Sequence, residues 1–167
     1  MTRELSLIRK NNWDKAISLI CETVDFVTNG INFIVESKTT NCFDEFKKET
    51  EKNGYITVSS EGCYSSIYDN HVLNIRARVW HDLNHLQLNM DFSYEQELVV
   101  AKAQTDNIQA YADHKGSYTF DIVELAKKIV IIDIKSQYNY YQKYGKFVTD
   151  QKSFVQNILW NETDYGI

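Results

Sequence analysis

His81-Asp82-Leu83-Asn84-His85 is the stretch of this chain whose residue types and spacing best suit chemistry. On a helix, residues four apart differ by about 40° of azimuth, so His81 and His85 share a face and can reach one metal ion. Two histidines need further ligands, and helical phase nominates them. Glu95 falls on one face with Lys102, Asp106, Gln109 and Asp113, a solvated stripe. Glu97 falls with Val100, Ala101, Gln104, Ile108 and Tyr111, a largely apolar stripe. A carboxylate there must be paired or bound to a cation, because burying it alone is costly. Asp133 is in the same position, between Ile132 and Ile134 on the stripe of Ala126, Val130, Gln137 and Tyr140. The predicted metal ligands are therefore His81, His85, Glu97 and Asp133. This donor set suits zinc foremost, or iron or manganese if more coordination positions stay open.

Asp82 is the predicted catalytic residue. The run from His81 to His85 has the outline of H-E-x-x-H, the zinc-protease motif, with Asp in place of Glu. A shorter carboxylate stands farther from a metal-bound water, so three roles stay open for Asp82: general base, orienter of a ligand, or partner of Arg78 at i−4. Gln137 reads as a hydrogen-bond donor behind the ligands. The competing reading is a polar cluster in which His81 and His85 pack with Asp82 and Arg78, and Asp133 is a structural acceptor. His71 and His114 lie at helix ends and read as surface residues, and Trp80 as a core anchor.

The elements that must position these groups are mainly helical. Proline is absent and glycine occurs six times in 167 residues, so few helix breakers are available. A first helix is expected from near Asn12 to Asn29-Gly30, a short strand over 31–35, a helix over 43–52 and a second strand over 55–59. The two strands are candidates to pair beneath a helical layer. The histidines belong to a helix over 71–89. Ser93-Tyr94-Glu95-Gln96 has the form of a capping box opening the next helix, which stops at Lys115-Gly116. A longer helix covers 119–144. Within it Ile129 to Ile134 could be a buried strand, but Leu125, Ala126 and two lysines lead into it and favour helix. Thr149 or Asp150 caps a last helix. The fold class is a single-domain bundle, 1–167, of about six helices with a small two-stranded β element in the N-terminal half.

At 43% hydrophobic and 25% charged residues the chain suits one soluble domain with a sizeable core. No run of about 18 apolar residues offers a membrane span, and the N-terminus lacks a secretory signal. Cys21, Cys42 and Cys63 are odd in number and widely spaced, and read as reduced thiols of a cytoplasmic protein. A net charge of −5 argues against a broad nucleic-acid surface. Aromatic content is 13%, mostly Tyr and densest at Tyr138-Asn139-Tyr140-Tyr141, which reads as a core edge.

The segments NIRARVWHDLNH (74–85), Asp91-Phe92 with Glu97, and YYQKYGKFVTDQKSF (140–154) resemble a group of small bacteriophage proteins sharing a W-H-D-x-x-H block and a later D-Q-x-x-F block. That resemblance covers the C-terminal two-thirds of the chain. It implies a phage origin, hence the host cytoplasm, and no established activity.

Two function classes follow. The first is a metal-dependent hydrolase acting on a small molecule, with a phosphoester or nucleotide as the expected substrate; a peptidase is the second enzyme reading, through the H-E-x-x-H likeness, which the Asp in place of Glu weakens. His81-Asp82 resembles the HD dyad of small helical phosphohydrolases, with Asp133 in the place of their final Asp. His71, only ten residues earlier, is an awkward first histidine for that type. The second is a non-catalytic phage protein that binds and inhibits a host protein, with a structural metal or none; net acidity and abundant Tyr suit that role.

Overall fold

The computed structural model describes residues 3–61, 66–68 and 70–161. Cys63 lies outside the described residues. Six helices and two strands follow in the order α1 (Arg3–Val27), β1 (Phe33–Glu36), α2 (Phe43–Asn53), β2 (Ile56–Ser59), α3 (His71–Leu88), α4 (Tyr94–Lys115), α5 (Phe120–Tyr144) and α6 (Gln151–Asn161). The chain is thus mainly helical, with one small sheet in its N-terminal half. No helix among the described residues is long and apolar enough to cross a membrane.

Two apolar clusters organise the helices. The larger joins α1, α3, α4, α5 and α6 through Trp13, Leu19, Ile20, Trp80, Ile108, Ile129 and Val155, all nearly or fully buried. The smaller sits under the sheet, where Phe43 and Phe46 of α2 meet Ile56 and Val58 of β2 and Ile75 and Val79 of α3. α3 contributes to both, with Trp80 on one side and Val79 on the other. The histidine helix is therefore held from two directions.

The strands do pair, and they run parallel, with Phe33 opposite Ile56 and Glu36 opposite Ser59. A parallel pair needs a crossover, and α2 is that crossover. Residues 129–134 are helical, as their flanking residues favoured, and Ile129, Val130 and Ile132 are buried within α5. α1 begins at Arg3, nine residues before the expected start at Asn12. Asn12 does not cap it. The Asn11-Asn12 pair costs a helix interior only about 0.7 kcal/mol per residue. Packing outweighs it: Trp13 meets Trp160 edge-on at 5.7 Å, and Arg9 lies 6.0 Å over the same indole.

The turn into α4 also departs from expectation. Ser93 stands at the N-cap in extended geometry but makes no side-chain cap bond. Its N–H is taken by Asp91 Oδ1 at 2.9 Å instead, so the reciprocal capping box does not form. Gln96, the residue that would have closed the box, keeps a buried Oε1 with no partner among the described residues. Cys42 of α2 and Thr119 of α5 likewise make no side-chain cap bond, whereas α3 and α6 are capped. Asn70 Oδ1 accepts from the Val72 and Leu73 N–H groups at the start of α3, and Asp150 Oδ1 from Ser153 at the start of α6. The Tyr-rich end of α5 is partly a core edge. Tyr138 packs on Tyr94 and Tyr140 on Phe154, while Tyr141 is exposed and packs on Phe147.

Candidate metal centre

α3 and α4 run antiparallel, because Trp80 Nε1 donates to Asn107 Oδ1 at 2.8 Å while His85, one turn further on, faces Glu97, three turns back. This pairing brings three of the predicted ligands together. Glu97 Oε2 lies 3.2 Å from His81 Nε2, and Glu97 Oε1 lies 3.5 Å from His85 Nε2. The two imidazole Nε2 atoms are 3.0 Å apart. A cation bound about 2.1 Å from each donor spaces its ligand atoms about 3.0–3.4 Å apart, and the three separations are close to that, the His85–Glu97 one, made through the other carboxylate oxygen, being slightly longer.

The outer nitrogens decide what the inner ones present. His85 Nδ1 is 3.0 Å from the Met90 carbonyl oxygen, which only accepts, so Nδ1 carries the proton and donates. His81 Nδ1 likewise faces Gln104 Oε1 at 3.4 Å. Both Nε2 lone pairs then point into the same space, against a carboxylate. Two imidazole lone pairs at that separation need a positive charge between them, a proton or a metal ion. Fixing the ring through its other nitrogen is the arrangement typical of metal-ligating histidines.

Burial sharpens the demand for positive charge. His85 is fully buried, His81 is 25% exposed at the side chain and Glu97 13%, so the cluster opens to solvent past His81. Burial works against the charge on His81, but the Glu97 carboxylate outweighs it and lifts the imidazole to about 9. Burial likewise opposes ionisation of Glu97, and His81 and His85 overcome it, holding that carboxyl well below the usual range. Asp82, partly buried, is raised to about 6 by desolvation, against the pull of His81 and His85.

Asp133 is not one of the donor atoms that converge. Among the described residues the group whose donors lie within 4.8 Å of one another consists of His81, His85 and Glu97. Asp133 Oδ1 accepts from Gln151 Nε2 at 2.6 Å, tying α5 to the first residue of α6. Burial raises it to about 6, with Gln151 and Gln137 acting the other way. It still feels His81 and Arg78, so it borders the site without joining it. Gln137 therefore serves Asp133 and not a histidine.

Asp82 and Arg78 make no ion pair within 4.0 Å; Arg78 Nη1 donates to the Ser59 carbonyl at 2.9 Å, across to β2. Glu95 is exposed, on the face where Lys102 pairs with Asp106 and Gln109 with Asp113. His71 and His114 are exposed, and Trp80 is fully buried. Three participants were not nominated from sequence. Gln104 lay on the Glu97 stripe and could have been read from phase. Met90 contributes only a backbone carbonyl, placed by the left-handed Asn89 (φ 53°), and has no side-chain signal. Gln151 opens α6, and only the packing of that helix on α5 brings it to Asp133.

Comparison with known proteins finds no similarity to draw on: no family model matches the sequence, and no curated protein or solved structure matches the chain.

Proposed function

We propose that this protein binds one divalent metal ion through His81, His85 and Glu97 and uses it for hydrolysis. The convergence of three donors, with each imidazole's other nitrogen already committed to an oxygen acceptor, is the observation that supports this reading. Two histidines and a carboxylate leave a coordination position for water or substrate, the composition of catalytic rather than closed structural sites. The ion would lower the pKa of a bound water and polarise the scissile group. Asp82, adjoining His81 and within electrostatic reach of all three ligands, is the candidate general base. Zinc suits the donor set first, and iron or manganese the same set with more open positions.

The test is paired. Asp82→Asn should leave metal content unchanged and lower turnover by about a hundredfold or more. A metal-loaded wild type inactive on phosphoesters, nucleotides and amides alike would leave the hydrolase reading without support.

A second reading, capture of a host protein by a phage-encoded factor, is favoured by one observation. Tyr141, Tyr144 and Phe147 are 43%, 53% and 52% exposed around the α5–α6 turn. Tight binding of one host protein, abolished by Tyr144→Ala and insensitive to chelator, would favour it over catalysis.

A further inference from the structure

The two sides of the small sheet are finished differently. No residue of β2 is exposed, and the Ser59 carbonyl on its far edge accepts from Arg78 of α3 at 2.9 Å. In β1 three of the four residues are exposed, with Ile34 at 36% and Val35 at 47%. Parallel strands are ordinarily covered on both faces, and a lone pair of strands gains stability from a third. This sheet is covered at β2 and open at β1.

The open edge presents main-chain groups. Asn32 O accepts from the Ile56 N–H at 3.0 Å, and Glu36 O from the Ser60 N–H at 2.7 Å. Main-chain groups alternate sides along a strand, so Asn32, Ile34 and Glu36 face β2, while the N–H and C=O of Phe33 and Val35 point away from it. Neither residue finds a main-chain partner on that outer side among the described residues. Exposed edges are commonly guarded by lysine or proline. Phe33-Ile34-Val35-Glu36 has neither, and its one charge stands at the end.

This edge is complementary to itself. In antiparallel pairing the residues that exchange hydrogen bonds must both face outward, here Phe33 and Val35 of each copy. Setting Phe33 opposite Val35 of the second copy, and Val35 opposite its Phe33, uses every outward group of both strands. Ile34 then meets Ile34 of the second copy on a twofold axis, and Val35 is covered by a phenylalanine. Glu36 falls opposite Asn32, so like charges do not meet. The register that opposes Glu36 to Glu36 leaves Phe33 without a strand partner. We propose that the chain forms a symmetric dimer through β1, independently of the metal site, with a four-stranded sheet in the order β2-β1-β1-β2. Arg78 and α3 stand at the far edge of β2, so the sheet stops at four strands and assembly closes at two chains. With about four main-chain hydrogen bonds and two exposed aliphatic residues per copy, the dimer is weak and reversible.

Sedimentation velocity of the full chain tests this. The wild type should be monomeric at about 1 µM and mostly dimeric at about 500 µM. Val35→Pro removes one outward N–H and leaves the β2-facing donors in place. It should raise the concentration needed for dimer at least about tenfold, with the helical far-UV signal unchanged. Ile34→Lys, at an exposed side chain, should do the same by setting two like charges on the axis, and so should Ile34→Glu. An equimolar mixture of those two variants should dimerise at least as well as wild type, because only a pairing that opposes residue 34 to itself brings the opposite charges together. A wild type that stays monomeric up to about 500 µM overturns the dimer and leaves the β1 edge to a strand of another protein. A dimer that withstands Ile34→Lys, or a charge-swapped mixture no more dimeric than its parts, overturns the β1 pairing.

Discussion

Glu97 and Asp133 were nominated by the same reasoning, a carboxylate on an otherwise apolar helical stripe, and the fold treats them in opposite ways. Glu97 meets two imidazoles across the α3–α4 interface, and its carboxyl is held far below the ordinary range. Asp133 meets the amides of Gln151 and Gln137 between α5 and α6, and its carboxyl is pushed up to about 6. Amide donors satisfy hydrogen bonds but supply no opposing charge, so desolvation dominates at Asp133. Imidazoles supply both. Helical phase therefore identifies a carboxylate that faces inward, while the partner it finds decides whether it is a ligand candidate or a structural acceptor.

The largest effect that separates the two is on metal affinity. Glu97→Gln should weaken binding of Zn2+ by at least about a hundredfold, whereas Asp133→Asn should change it by less than about tenfold. Isothermal titration on both variants checks this, and equal losses would erase the distinction. Glu95→Gln, on the solvated face of the same helix, should leave affinity unchanged.

Stability against pH separates them next. The folded-state pKa of Asp133, about 6, is raised above the ordinary 3.8, so its ionisation opposes folding. Its contribution is intact below about pH 4 and is lost as pH rises through 6. Asp133→Asn should therefore match wild type near pH 4 and exceed it by roughly 1–3 kcal/mol at pH 8 in urea unfolding of the metal-free chain. The Asn side chain can still accept from Gln151 and offers its own N–H to Gln137 Oε1, which is buried with no partner among the described residues. A variant less stable than wild type at pH 8 would mean that the Asp133 charge is compensated after all.

A smaller contrast lies at the helix starts. Asn70→Ala should cost about 1 kcal/mol, because its side chain caps two N–H groups of α3. Ser93→Ala should cost no more than about 0.3 kcal/mol, because the Ser93 side chain makes no cap bond to α4 and its backbone N–H keeps Asp91 as acceptor. Thermal or urea unfolding of the two variants would show this, and a Ser93→Ala cost near that of Asn70→Ala would contradict it.

Much of this was legible in the residues. The i, i+4 spacing placed His81 and His85 on one face, and the stripe from Glu97 to Tyr111 placed its carboxylate inward. Gly116 marked the end of α4, which it closes in left-handed backbone. What was not legible required knowledge of tertiary neighbours. The start of α1 is carried past Asn12 by an indole pair with α6, more than a hundred residues away. The parallel sense of the strands depends on α2 crossing between them. Asp133 lost its place among the ligands because Gln151 reaches it from another helix. The failed capping box at Ser93 turned on a single competing acceptor two residues earlier.

The most direct test of the central claim is metal stoichiometry measured on the purified chain beside His85→Ala. One equivalent of divalent metal should bind the wild type, raise its unfolding temperature, and be lost together with that stabilisation in His85→Ala. A wild type that takes up no metal and unfolds identically with and without a strong chelator would contradict the account. The His81–His85–Glu97 cluster would then be a proton-sharing polar core and nothing more.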